Sequence, residues 1–91
     1  MGFYIKKSTQ LRNSKMIHCQ VGFVNNSFVT VVEINRLVNV AICDFPELLQ
    51  YNDIKVELLS EDRPDQGIGV AFDVPSGTEI PKDYLRIEKN G

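Results

Sequence analysis

The sequence predicts one mainly-β domain over residues 1–91, a small barrel or two-layer β sandwich with an N-terminal meander and one short helix. Three observations predict it. Val, Ile, Phe and Thr crowd into short runs. Asn-, Gly- and Pro-containing turns punctuate those runs at hairpin spacing. A chain of 91 residues has room for a single core. Hydrophobic residues make up 43% and charged residues 24%, which excludes a disordered or fibrous chain.

Residues 16–43 divide into MIHCQVGFV, SFVTVVEI and LVNVAIC, with Asn25-Asn26 and Asn35-Arg36 where two-residue loops belong. A three-stranded meander follows. Its register places Ile17, Cys19, Val21, Phe23, Phe28, Val32, Ile34, Leu37, Ala41 and Cys43 on a core face. The other face carries Val29, Val31, Val38, Val40 and Ile42 beside His18, Gln20 and Glu33, an apolar patch that the C-terminal half or another subunit has to cover. The same register sets Cys19 and Cys43 roughly 13 Å apart along the strands, beyond the 7 Å or so between Cα atoms that a disulfide tolerates. Free thiols are expected.

In DFPELLQYND, Asp44 suits a cap, Pro46 a first helical turn, and Glu47 the positive end of the dipole, so one or two helical turns belong there. Residues 54–59 alternate, with Ile54, Val56 and Leu58 inward. SEDRPDQ is a charged loop. In GIGVAFDV, Ile68, Val70 and Phe72 alternate with Gly67, Gly69 and Ala71, whose small side chains invite close approach of a backbone or ligand. A turn at residues 75–77, a strand at 84–88 and an opening strand at 3–7 bring the total to about seven strands.

Ile80, Pro81, Asp83, Tyr84 and Leu85 in EIPKDYLRIE resemble the last element of SH3 domains, where a tight helical turn leads into the final strand. The resemblance covers about ten residues and implies an SH3-like barrel. It also implies that Pro81 and Tyr84 help line a groove for proline-rich peptides, although the chain has no Trp, on which that groove usually relies. The alternative is that Pro81 starts a turn and Tyr84 packs over the end of the barrel.

No constellation for catalysis emerges. His18, the only histidine, faces Glu33 in this register, an ordinary cross-strand pair, and Cys19 beside it points to the opposite face. Two distant cysteines and one histidine do not make a zinc site. Gly67 and Gly69 lack the helix and Lys of a phosphate loop. Neither cofactor nor metal is therefore expected, and the chain reads as a non-enzyme.

Charge is unevenly distributed. Before Glu33 stand only Lys6, Lys7, Arg12 and Lys15, a +4 segment, while all twelve carboxylates fall in a remainder of −6. Two functions follow. The preferred one is a protein-protein interaction module, for example a small inhibitor or accessory protein, which uses opposed charges to orient its partner and the second meander face to dock, with a homodimer as one version. The alternative is nucleic-acid binding by a basic loop of Lys6, Lys7, Arg12 and Lys15. No run approaches the 18 to 20 or so apolar residues of a membrane span, and MGFYIKKSTQ does not read as a signal peptide, so a cytoplasmic protein without a membrane partner is expected.

Overall fold

Alternation dictates the strands. In the computed structural model, which describes residues 4–23, 30–60, 62–63 and 67–89, strand β1 (Tyr4–Leu11) and strand β2 (Met16–Phe23) form an antiparallel hairpin. Its tight turn places Asn13 at φ 68°, a left-handed conformation that Asn tolerates better than most residues, and Ser14 N–H closes it on Leu11 O at 3.0 Å. Strand β3 (Lys55–Leu58) pairs antiparallel with β4 (Ile68–Pro75), β4 pairs antiparallel with β2, and β5 (Leu85–Lys89) runs parallel to β1. The sheet order is β3-β4-β2-β1-β5. The fold is mainly β, as expected, but the sheet is open, with β3 and β5 as edges, and no barrel closes.

The meander is corrected. Its first strand forms, but residues 31–44, expected to finish the second strand and supply the third, are a single helix, α1 (Val31–Asp44). Thr30 caps it in a reciprocal box: Glu33 N–H donates to Thr30 Oγ1 at 3.2 Å, and Thr30 N–H donates to Glu33 Oε2 at 2.9 Å. The buried residues Leu37, Val38 and Ala41, continued by Phe45 just beyond the helix, recur at helical spacing. Asn35 and Arg36, expected in a hairpin loop, lie exposed on the outer side of the helix. Six β-branched residues in α1 cost at most about 0.7 kcal/mol each, whereas full burial of Leu37, Val38 and Phe45 contributes about 1.5–3 kcal/mol each. Packing of the helical stripe outweighs local preference. Phe28 and Val29, assigned to the second meander strand, lie outside the described residues.

Helix and sheet make two layers. Ile17, Cys19 and Val21 of β2 and Val70, Phe72 and Val74 of β4 face Leu37, Val38, Ala41, Phe45, Leu49, Ile80 and Tyr84. The helical turns expected around Pro46 reduce to a turn after α1 and one 3₁₀ turn (Tyr51–Asp53), and Asp44 ends α1 rather than capping a new helix. Val56 and Leu58, expected inward, are 55% and 38% exposed because β3 is an edge strand. Among the described residues, no helix is long and apolar enough to cross a membrane.

Leu37 is fully buried where α1 meets the sheet, so Leu37→Ala is expected to cost about 2–5 kcal/mol in urea denaturation. Thr30→Ala, which removes the cap, is expected to cost about 1 kcal/mol. Insensitivity to both would argue against the helix.

Candidate functional site

Because α1 covers one face of the sheet, the site lies on the other. Strand alternation brings Ile5, Lys7, Thr9 and Leu11 of β1, Met16, His18 and Gln20 of β2, Asp73 of β4, Glu57 of β3, and Leu85, Ile87 and Lys89 of β5 onto this face. No described element lies across it. Its two halves differ chemically.

On the β3 side, polar side chains form a lattice. His18 lies directly opposite Asp73, and its Nδ1 is 2.9 Å from Asp73 Oδ1. Its Nε2 is 3.0 Å from Glu57 Oε1, across the intervening strand β4. Gln20 Nε2 donates to the same Glu57 oxygen at 2.8 Å and to Leu58 O at 3.2 Å. The crossing is sterically open because β4 presents Gly69 and Ala71 between Glu57 and β2. Both ring nitrogens of His18 point at carboxylates, and only the imidazolium donates from both. Partial burial pulls its pKa down, but the hydrogen bonds to Asp73 and Glu57 outweigh burial and raise it above 6.5.

Next to the lattice, Leu59 sits over Gly22. A Cβ on Gly22 would come within 2.5 Å of Leu59 Cδ2, and one on Gly69 would collide with Val21 O. The close approach expected at the glycines is thus made by the chain itself. Lys7 Nζ reaches over to Leu59 O at 3.1 Å. Between this rim and β5 lies an open hollow of about 430 Å³ lined in part by Lys7, Thr9, His18, Gln20 and Ile87.

The β1/β5 side is apolar with a basic margin. Leu85 is 56% exposed, Leu11 45% and Met16 43%, with Ile5 and Ile87 half-buried beside them. Arg12 and Lys15 stand exposed at the hairpin turn and Lys89 at the end of β5.

The basic residues do not share one surface. Lys6 and Lys7, neighbours in β1, project to opposite faces. Lys6 lies on the helix side, with Nζ 3.0 Å from Asp44 Oδ2 and 2.8 Å from Asp83 Oδ2, over the Tyr84 ring at 5.5 Å. Desolvation of this ammonium is outweighed by the two carboxylates, so its pKa is raised, and Lys6 in turn lowers that of Asp83. Arg12 is six residues, roughly 20 Å, further along. The basic loop expected from the sequence is therefore two strand residues and a hairpin tip.

The valine patch is corrected as well. Val31 is 77% exposed at the start of α1, Val38 is buried, and Val40 and Ile42 pack partly against the core. Residues on one face of a strand are spread around a helix. Val31, Val38, Val40 and Ile42 therefore do not share one continuous face, and Val29 is outside the described residues.

Pro81 and Tyr84 form a turn, Tyr84 N–H donating to Pro81 O at 3.1 Å. Tyr84 is buried against Phe45, ring centroids 5.8 Å apart, and its hydroxyl donates to Asp44 Oδ2 at 2.8 Å. Burial, then Asp44, pushes its pKa far up. This is the packing alternative, and the ring is not presented to a peptide. The partner expected for His18, Glu33, instead belongs to the cap of α1. The sequence places Gln20 on the face of His18 but does not point to Asp73 or Glu57; the small residues alternating in β4 are the local signal for them. Among the described residues, no group of three or more His, Cys, Asp or Glu is placed to hold a metal ion.

Comparison with known proteins found no matching family model, curated protein or solved structure.

The cysteines differ in kind. Cys19 is fully buried, and burial, followed by the nearby Asp73 carboxylate, pushes its thiol up to about 12; Cys43 is exposed on α1. A thiol reagent is therefore expected to modify one cysteine, Cys43, in the native protein and both after unfolding. Rapid native labelling of Cys19 would contradict this packing. Replacing Tyr84 by Phe deletes a buried hydrogen bond to a carboxylate and is expected to cost about 1.5–3 kcal/mol in chemical denaturation.

Proposed function

We propose that the chain is a non-catalytic protein-interaction module that docks its partner on the uncovered face of its sheet. One observation carries the reading: the β1/β5 half of that face groups Leu11, Met16 and Leu85, all exposed, with Ile5 and Ile87. A sheet with one face toward water ordinarily presents polar residues there, as the β3 half does. Single exposed apolar residues need no explanation, whereas a group of them does.

The margin of Arg12, Lys15 and Lys89 favours a partner with an acidic rim, and such charges orient encounter more than they add affinity. The surrounding chemistry supports binding rather than turnover. Both ring nitrogens of His18 are engaged by carboxylates of the chain itself, which leaves neither turned toward a substrate proton. A small domain that binds without transforming its partner serves as an inhibitor or accessory subunit.

The test is affinity capture from an extract of the cells that produce the chain, with and without nuclease, using the native sequence and Leu85→Glu. A protein retained at a stoichiometric level, indifferent to nuclease and lost with Leu85→Glu, is the expected result. Recovery that vanishes with nuclease, or that Leu85→Glu leaves intact, would overturn the reading. Sedimentation of the purified protein distinguishes a second copy of this chain from a different partner.

A further inference from the structure

We propose that the His18 ring is a proton-dependent latch that fastens the edge strand β3 to the body of the sheet. With both nitrogens protonated, the ring donates to Asp73 on β4 and to Glu57 on β3. A neutral ring has one donor and one lone pair, so on losing a proton it keeps one carboxylate and turns a lone pair toward the other.

The geometry decides which strand is affected. Asp73 is the direct cross-strand neighbour of His18, on a strand paired along both sides. Glu57 rides on a four-residue strand paired only with β4, whose apolar residues Val56 and Leu58 remain largely exposed. Burial holds β3 weakly, and its link to β2 runs through side chains. Besides the His18–Glu57 contact these are Gln20, which donates to Glu57 and Leu58 O, and the Leu59 side chain over Gly22. Lys7 adds a hydrogen bond to Leu59 O. Gln20 and Lys7 do not titrate with His18. The imidazole is the one member of this set that changes charge near neutral pH.

Other charged groups border the ring. Asp53 and Lys55 line the hollow on its β3 side, and Lys7, Asp62 and Lys89 the hollow toward β5. Among the described residues, Asp73 and Glu57 are the two that hydrogen-bond to it. Because these two hold the folded-state pKa above the 6.5 of a free imidazole, the latch is fully closed below about pH 6.5 and opens as pH climbs through the raised value. The inference stands on the lattice alone and holds whatever docks on the face.

The chain has a single histidine, so ring NMR between about pH 5 and 9 reports His18 unambiguously. Amide exchange, corrected for its intrinsic pH dependence and referenced to β2, reports β3 in the same samples. The expected result is a ring titration above 6.5 accompanied by a two- to fivefold loss of protection in β3, the size appropriate to a partly exposed ion pair. Glu57→Gln is expected to lower the ring titration, and His18→Gln to remove the step in β3. A ring that titrates at or below 6.5, or β3 protection that does not follow the ring in the native protein, overturns the latch; that result needs no variant to fold.

Discussion

The burial of one helical stripe, Leu37, Val38, Ala41 and Phe45, against β2 and β4 is the constraint from which the rest of this molecule follows. A five-stranded sheet has two faces, and a single 14-residue helix covers only one. Packing therefore commits Cys19, Val21, Val70, Phe72 and Val74 to the interior and leaves the alternate residues of the same strands outside. The lattice and the apolar group on the open face are consequences of that division. Had residues 31–44 extended the sheet instead, neither face would be left in its present form.

Electrostatics fixes how the helix ends. Asp44 stands at the negative end of α1, where a carboxylate is disfavoured by the helix dipole. Lys6 and the Tyr84 hydroxyl both converge on its Oδ2, and Asp83 completes the pairing of the ammonium. The cluster joins α1, β1 and the turn before β5, three segments far apart in sequence. A mostly buried charge left unpaired is costly, so these residues act together: the turn that places Asp83 and Tyr84 also sets the start of β5. That is a structural use for the Pro81 turn, distinct from a peptide groove.

The legible parts of the sequence were those in which one pattern had one reading. Strands β1, β2, β3, β4 and β5 show alternation bounded by turn residues, and all were anticipated within a few positions. The stretch from Thr30 to Phe45 was ambiguous because it is rich in Val and Ile: nearly continuous apolar residues satisfy a period of two and a period of 3.6 at once. The decisive signals were Thr30 and Glu33 at capping-box spacing and the recurrence 34, 37, 38, 41, 45. Misassigning that stretch misplaced the valine patch and the partner of His18 together. The site was less legible than the fold, because Glu57 meets His18 only through the strand order, with β4 inserted between them.

That insertion also explains why the open face has two characters. Contacts across a whole strand require the middle strand to carry almost nothing on that side, and Gly69 and Ala71 provide this between β3 and β2. Long polar side chains can then hydrogen-bond to one another, so the β3 half is a polar lattice of His18, Gln20, Glu57 and Asp73. On the other side β1 and β5 are adjacent, with no strand of small residues between them; Lys7 lies beside Leu85 and Thr9 beside Ile87 in register. Lys7 turns away to Leu59 O, which leaves Leu85 uncovered. A single arrangement of small and large residues thus spends the polar groups on one half of the face and leaves the other half apolar, and it is the second half whose burial would stabilise a complex.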